Sequence, residues 1–361
     1  MARWDLKCCS ARTTFVGLLS LVVALLVGAP APASAFSKAI WGPVYQHGVN
    51  QFPMYKRLGV SIYETTLYWS DVARRRPRNP ANPNDPAYRW PSDIRQAITE
   101  ANRSHLRVLL QVRQTPGWAN GGRPANWAPR RVGDYAAFLT AAARHYHPVH
   151  LWMIWGEPNR APNFQPLTPA SPQASRLDAA QQRAPHTYAR MLDSAYAALK
   201  LVNPANVVIG GCTYTTGDIS TRQWIANLRL PSGRVPRMDM YAHNPFGWQD
   251  PSFSDPPSTD GVVQFSDLPQ LAGWIDRYLH RPLPIFLSEW TIPTQVDQQF
   301  HFYVDPPVAA KWIRDALALS RGWRRIYGLG WINVYDSPPE SYGGLLTLDG
   351  TPKPSYYAFA S

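Results

Sequence analysis

Short apolar runs alternate along the chain with segments whose apolar residues recur at helical spacing. The runs are three to nine residues long, which fits buried strands better than helices. The eight predicted strands cover residues 39–41, 60–67, 107–112, 149–155, 207–210, 238–242, 284–288 and 326–334. Helical patterns separate them, and the predicted helices cover residues 52–58, a segment capped by Ser92, residues 132–147, the stripe from Tyr188 to Leu199, residues 222–228, a segment capped by Ser266, and residues 308–319 and 354–359.

This alternation favours a parallel sheet covered by helices. Eight strand–helix units predict an α/β fold of the (β/α)8 barrel (TIM barrel) type, which takes about 250 residues before insertions. The alternative is a doubly wound open sheet. That fold is typically accompanied by a glycine-rich nucleotide loop, and no G-x-G-x-x-G pattern occurs in the sequence. We therefore predict one barrel domain over residues 36–361.

Residues 1–35 differ from the rest of the chain in pattern. A basic stretch precedes a mostly apolar run at residues 15–28, and the small residues Ala33-Ser34-Ala35 follow it. This order is typical of a secretory signal peptide cleaved after Ala35. The alternative is a membrane anchor, but the run is short against the ~20 apolar residues that a spanning helix needs. We expect a secreted, extracellular protein.

Composition narrows the possible functions. Of the 3 cysteines, only Cys212 lies outside the predicted signal peptide, which excludes an internal disulfide and a cysteine-ligated metal site. The net charge of +12 permits an acidic partner, although a solvated basic surface explains it equally. The 15 Trp residues exceed what core packing usually needs, and their flat faces suit flat apolar partners such as sugar rings.

Two glutamates follow apolar runs directly. Glu157 comes after the run at 149–155, and Glu289 comes after the run at 284–288. The active site of a (β/α)8 barrel lies at the carboxyl ends of its strands, so these two residues would face each other across the mouth. Such a pair suits glycoside hydrolysis, in which one carboxyl is neutral and the other ionised. The alternative for each is a helix-end charge or a surface ion pair.

The segments around both glutamates resemble a known group. Trp155-Gly156-Glu157-Pro158-Asn159 resembles the acid/base motif of clan A glycoside hydrolases, with families 5 and 39 the most similar, and Ser288-Glu289-Trp290 resembles their nucleophile motif. Segments 115–119, 238–247, 344–346 and 349–354 are also similar to that clan. The resemblance implies a retaining enzyme that cleaves β-linked glycans, with Glu157 as general acid/base and Glu289 as nucleophile. It implies no metal, no cofactor and no nucleic-acid partner.

The resemblance also implies substrate-binding residues. Trp331 would lie under the sugar that is attacked, and His243 would contact the substrate or the nucleophile region. Asn159 is a candidate hydrogen-bond donor to the sugar. Apart from the resemblance, five tryptophans are candidate stacking platforms for sugars: Trp69, Trp118, Trp290, Trp127 and Trp248. The alternative for about half of them is a place in the barrel wall or the core.

Two positions depart from the pattern of the clan. Gly156 stands where an Asn usually binds the sugar 2-hydroxyl, and Phe246 stands where a Tyr usually bonds the nucleophile. Both carboxylates remain, which favours catalysis. The departures leave open a catalytically degenerate barrel that only binds carbohydrate. A structural or cell-wall-associated basic protein is a third interpretation.

Overall fold

Eight parallel strands form a closed barrel. The computed structural model describes Met1 and residues 36–361, so the predicted signal peptide lies outside the described residues. Successive strands along the chain are neighbours in the barrel, and the eighth pairs with the first, which confirms the predicted (β/α)8 fold. The strands are β1 (Ser37–Trp41), β2 (Val60–Tyr68), β3 (Arg107–Arg113), β4 (Leu151–Ile154), β5 (Val207–Tyr214), β6 (Met240–Asn244), β7 (Ile285–Trp290) and β8 (Ile326–Trp331).

Helices connect the strands around the outside of the barrel. The longer ones are Phe52–Arg57, Ser92–Arg103, Val132–His145, Arg183–Val202, Thr221–Ala226, Leu268–Leu279, Pro306–Gly322 and Pro354–Ala360. Shorter elements are the helices Trp69–Val72 and Gly117–Asn120, the 3-10 turn Phe265–Asp267 and an antiparallel ribbon of Tyr45–Gln46 with Val49–Asn50. Within the described residues, none of the helices combines the length and the apolar character needed to cross a membrane.

Three strands extend further toward the barrel mouth than the apolar runs indicate. β5, β6 and β7 end at Tyr214, Asn244 and Trp290, whereas the runs end at positions 210, 242 and 288. Polar residues and glycines interrupt the apolar pattern, yet the strand pairing continues, with Tyr214 opposite Asn244 and Trp290 opposite Trp331. Asn244 and Glu289 are therefore fixed in strands rather than carried on loops.

Two predicted helix caps are wrong. Ser92 is the first residue of its helix, and Pro91 occupies the N-cap position without a side-chain hydrogen bond. Ser266 lies in the 3-10 turn, and Asp267 is the N-cap residue of the helix that follows. The Asp267 carboxylate instead accepts a hydrogen bond of 2.9 Å from the backbone N–H of Gln264, which closes the turn ahead of the helix.

Alternation along the strands divides the core in two. In β3, Val108, Leu110 and Val112 belong to the large cluster between barrel and helices, while Leu109 points inward. Gln111 and Arg113 follow Leu109 at two-residue spacing and therefore also face the barrel interior. The inner cluster consists of Ala39, Ile62, Leu109, Leu151, Met153, Ile209, Cys212, Met240, Ala242, Phe286 and Tyr327.

A bulge in β7 breaks this alternation next to Glu289. Leu329 of β8 pairs with Leu287, but Trp331 pairs with Trp290, so β7 has one more residue than β8 over this stretch. Ser288 and Glu289 together oppose the single residue Gly330. A bulge of this kind re-aims a side chain at a strand end. Because of the bulge, the successive side chains of Ser288 and Glu289 both lie toward the barrel interior instead of on opposite faces.

Lys38 ties β1 to the helical layer. Its ammonium group is buried and donates hydrogen bonds to the carbonyl oxygens of Leu58 at 3.1 Å and Phe359 at 2.6 Å. Burial, together with the charge of Arg321, lowers the pKa of Lys38 to about 8. The interaction joins the start of the barrel to the helix that follows β8, which are 321 positions apart in the sequence.

We expect Lys38→Met to lower the free energy of unfolding by about 2 kcal/mol, because it leaves buried carbonyl groups without donors. Urea denaturation followed by tryptophan fluorescence measures this change. Lys56→Met is the matched control, since Lys56 is exposed in the neighbouring helix. Equal stabilities of the two variants would contradict a stabilising role for the Lys38 hydrogen bonds.

Candidate active site

Side chains from four strands meet at the carboxyl end of the barrel. Arg113 ends β3, Glu157 follows β4, Asn244 ends β6 and Glu289 lies near the end of β7. The Glu157 carboxylate accepts a hydrogen bond of 3.0 Å from the side-chain amide of Asn244. The pKa of Glu289 responds to the charges of Glu157 and Arg113, so these groups lie within electrostatic reach of one another. The structure thus brings the two predicted carboxyls to one site.

The chain leaves β4 through an unusual backbone path. Trp155 and Glu157 have φ angles of 68° and 47°, in the left-handed region that side chains other than glycine rarely adopt. The backbone N–H of Glu157 donates to the carbonyl of Cys212 in β5 at 2.9 Å, and Cys212 itself has a φ of 46°. Strained residues of this kind cluster at functional sites. Here the strain accompanies a tight connection between β4 and β5 that fixes Glu157.

Three donors surround the Glu157 carboxylate. Arg160 Nη1 and Asn163 Nδ2 each donate to Oε2 at 2.8 Å, and Asn244 Nδ2 donates to Oε1. Arg160 is part of the same loop, three residues on, and forms a salt bridge with Glu157. Charge-assisted donors of this kind stabilise an ionised carboxylate. We call Arg160, Asn163 and Asn244 the Glu157 clamp.

Glu289 has the opposite environment. Burial raises its pKa to about 8, and the negative charge of Glu157 contributes to the shift. Arg113 and Arg160 oppose the shift without cancelling it. Burial therefore favours the protonated form of Glu289 at neutral pH.

A third carboxyl lies below the pair, and sequence reasoning missed it. Glu64 of β2 is 1% exposed, and burial raises its pKa well above the usual range. Its Oε2 accepts a hydrogen bond of 2.8 Å from the hydroxyl of Ser288, while its Oε1 has no partner among the described residues. The sequence signal that could have identified Glu64 is its position as a charged residue inside the apolar run at 60–67.

A neighbouring side chain, rather than solvent, occupies the space next to the Cα of Gly156. A Cβ at this position would lie 2.8 Å from Oε1 of the buried Gln111, which is closer than van der Waals contact allows. Gln111 points inward from β3, and its amide nitrogen lies 3.4 Å from the sulfur of Met153. The amide of Gln111 thus fills space that the side chain of Asn would need at position 156.

Asn159 and His243 do not line the site. Asn159 is fully buried, and its side chain accepts from the N–H of Tyr214 at 2.9 Å and donates to the carbonyl of Ile219 at 3.2 Å. His243 is also fully buried, and burial lowers its pKa to about 4. Its ring nitrogens are bonded to Thr213 Oγ1 at 2.9 Å and to a backbone carbonyl at 2.8 Å. Both side chains hold neighbouring strands and loops together and are not available to a sugar.

Most of the predicted stacking residues are core residues. Trp69, Trp290 and Trp331 are at most 1% exposed. Trp331 packs against Trp290 at 5.8 Å and against Phe359 of the outer helical layer at 5.7 Å. Alternation along β8 directs Trp331 to the outer face of the barrel, because Gly330 before it faces inward. A fully buried ring cannot stack on a ligand without rearrangement, so these three predictions are wrong.

Other aromatic residues do present accessible faces. Trp118 is half-buried, and its indole N–H donates to the carbonyl of Ala73 at 2.7 Å. Trp41, which sequence reasoning missed, is half-buried at the end of β1 and donates to the carbonyl of Ser288 at 3.1 Å. Trp248, in the loop after β6, is 50% exposed. Trp127 is half-buried as well, and the Arg123 guanidinium lies 4.0 Å from its ring. The predictions for Trp118, Trp127 and Trp248 therefore stay open.

Solved glycoside hydrolases share this fold. A family 39 glycoside hydrolase from Bacteroides cellulosilyticus WH2 matches over 91% of this chain and 63% of its own, with 17% identity and a TM-score of 0.62. A monomeric β-xylosidase from Caulobacter crescentus CB15 matches over 90% of this chain and 67% of its own, with 16% identity and a TM-score of 0.61. A glucosidase from Croceicoccus marinus matches with 13% identity and a TM-score of 0.62.

These likenesses concern architecture. The chain spans less than two thirds of the length of the Bacteroides cellulosilyticus enzyme. No protein-family model matches the sequence, and no curated protein sequence matches it either. The likeness confirms at the level of the fold the resemblance to clan A glycoside hydrolases that the motifs predicted.

We expect Gly156→Asn alone to destabilise the protein by about 1–3 kcal/mol, because its side chain displaces the buried amide of Gln111. Adding Gln111→Ala frees the space, so the loss in the double variant should be smaller than the sum of the two single losses. Chemical denaturation of the three variants measures this coupling. Gly133→Asn is the control, since nothing lies within 4 Å of a Cβ at Gly133. Additive losses would show that the two positions do not compete for space.

The raised pKa of Glu289 predicts pH-dependent stability. Below about pH 4.5 the group is protonated in the folded and unfolded states, and stability falls as pH rises from there through about 8. Glu289→Gln removes this loss, so its gain in melting temperature over the wild type should grow between pH 5 and pH 8. Differential scanning calorimetry measures it, with the exposed Glu340→Gln as control. A gain that is constant across this range would contradict the raised pKa.

Proposed function

We propose that this chain is a secreted glycoside hydrolase that cleaves β-glycosidic bonds with retention of configuration. The observation that carries the proposal is the pair of carboxyls at the ends of β4 and β7, where burial and the charge of Glu157 raise the pKa of Glu289 to about 8. In the proposed resting state the pair holds one proton, on Glu289. Glu157 is the general acid/base and Glu289 is the nucleophile. The fold likeness to glycosidases supports this assignment, as do the motifs around both residues.

In the first step, a carboxylate oxygen of Glu289 attacks the anomeric carbon while Glu157 gives a proton to the departing glycosidic oxygen. The glycosidic bond breaks and a glycosyl ester of Glu289 forms. In the second step, Glu157 takes a proton from water, and that water replaces Glu289 at the anomeric carbon. The Glu157 clamp stabilises the carboxylate that remains after Glu157 has given up its proton.

The shared proton must move from Glu289 to Glu157 before the first step. The charge that develops on the anomeric carbon favours an ionised Glu289, and the departing oxygen needs an acid beside it. Because the pair needs one proton, activity should fall as pH rises through about 8, where the resting pair loses it.

A carbohydrate-binding barrel without turnover is the second candidate. The observation that favours it is the Glu157 clamp, because the Arg160 salt bridge occupies the group that would act as acid. In that case Glu157 would anchor the loop after β4, and ligands would bind without being cleaved.

We expect protein produced from the full chain to release sugar from members of a panel of β-linked glucans, xylans, mannans and galactans. Glu289→Gln should abolish release from polymers and from aryl β-glycosides alike. Glu157→Gln should slow release from polymers by about 10²–10⁴-fold, and less from aryl glycosides whose acidic leaving groups depart without a proton. Reducing-sugar and chromogenic assays measure these rates.

Glu340→Gln, an exposed substitution with the same chemistry, is the control and should retain full activity. A reversed pattern, with Glu157→Gln inactive on every substrate and Glu289→Gln active on aryl glycosides, would exchange the two roles. Binding of oligosaccharides without any release by the wild type would instead support the binding-only barrel.

A further inference from the structure

A cleft of about 690 Å³ opens beside the carboxyl pair. It is formed by the end of β5 and by the loops after β4, β6 and β7. We call it the aromatic cleft, and its main walls are Tyr214, Phe246, Trp248 and Phe300. Arg160 lines the cleft and belongs to the Glu157 clamp, so the cleft adjoins the candidate active site.

The aromatic walls form one connected surface. Phe246 lies 5.5 Å from Tyr214 and 5.1 Å from Phe300 between ring centroids, and the Arg160 guanidinium lies 4.2 Å from the Tyr214 ring. These contacts fix the rings in place without help from a ligand. Trp248 is different, because half of its surface is exposed. A large apolar face left in water beside an active site is suited to packing on a ligand.

Polar groups rim the same cleft. Thr216, Gln299 and His301 offer a hydroxyl, an amide and an imidazole, which both donate and accept hydrogen bonds. The lining residues include no carboxylate. Flat apolar faces combined with neutral donors and acceptors match a pyranose ring, which has apolar C–H faces and a rim of hydroxyls.

The position of the cleft indicates which sugar it takes. Arg160 joins the cleft to Glu157, the residue that in the proposed function protonates the departing oxygen. The group attached to that oxygen lies on the Glu157 side. We propose that the aromatic cleft binds the leaving-group sugar, so that the enzyme acts on bonds between two sugar residues, with Trp248 as a specificity-determining stacking residue. This inference rests on the proposed function.

The test compares two leaving groups on one sugar. The substrates are β-1,4-xylobiose, cellobiose, β-1,4-mannobiose and β-1,4-galactobiose, each paired with the β-glycosyl fluoride of its sugar. Fluoride is too small to reach the aromatic cleft and departs without protonation. We expect Trp248→Ala to lower the ratio of kcat/KM for the disaccharide to kcat/KM for the fluoride by about tenfold. Trp248→Phe should recover part of this ratio.

Tyr357→Ala is the matched control, because Tyr357 is an exposed aromatic residue on the helix Pro354–Ala360, outside the cleft lining. It should leave the ratio at the wild-type value. A ratio that Trp248→Ala does not change would overturn the inference, as would hydrolysis of the fluorides without hydrolysis of any disaccharide. Both of these results leave the proposed function standing.

If the wild type hydrolyses neither kind of substrate and also releases no sugar from the polymers, the proposed function fails. Calorimetric titration of the same disaccharides into the wild type and Trp248→Ala then tests whether the aromatic cleft binds sugar. Binding that the substitution weakens about tenfold would retain a sugar-binding cleft in a barrel without turnover. Equal binding by both proteins, or no binding by either, would overturn the cleft as well.

Discussion

Burial at the barrel mouth and the negative charge of Glu157 act together on the neighbouring ionisable groups. Burial is the larger cause of the raised pKa of Glu289, Cys212 and Tyr214, and the charge of Glu157 adds to each shift. That charge also raises the pKa of Arg160, which forms a salt bridge with Glu157. Three donors hold the Glu157 carboxylate, whereas burial disfavours the charged form of Glu289. Two carboxyls in environments this different are the arrangement that acid/base chemistry needs.

The backbone holds this arrangement at a cost. Left-handed conformations at Trp155, Glu157 and Cys212 cost of the order of 1–3 kcal/mol each, and they persist only where surrounding structure determines them. The parallel ladders of β4 and β5 supply that support. On the other side of the mouth, the bulge in β7 brings both Ser288 and Glu289 to the inner side, so that Ser288 binds the buried Glu64. Burial raises the pKa of Glu64, although the Ser288 hydrogen bond opposes this shift. Glu157, by contrast, accepts hydrogen bonds from three side chains.

The sequence was sufficient to predict the barrel, because the alternation of apolar runs and helical stripes is repeated eight times and depends on no single residue. It also located Glu157 and Glu289, since the carboxyl end of a barrel strand is a functional position wherever it occurs. The orientation of the tryptophans was not predictable. Trp331 points outward because of the alternation along β8, and a motif match contains no information about that direction. Glu64 was missed because its partner Ser288 is 224 positions away and its burial exists only after the barrel closes.

Departures from a motif have to be interpreted together with the neighbours in space. Gly156 looks like a lost contact in the sequence, yet the Gln111 amide from the adjacent strand occupies that space. Substrate specificity within a shared fold depends on such local substitutions and on loops.

Arg160 takes part in both the carboxyl pair and the aromatic cleft. The same guanidinium forms a salt bridge with Glu157 and lies over Tyr214 in the aromatic cleft, so a sugar that draws hydrogen bonds from Arg160 weakens its hold on the Glu157 carboxylate. Since the aromatic cleft and the carboxyl pair share this side chain, a ligand in the cleft changes the contacts of Glu157 and, through the charge of Glu157, the pKa of Glu289. The cleft and the carboxyl pair therefore have to be understood as one electrostatic unit.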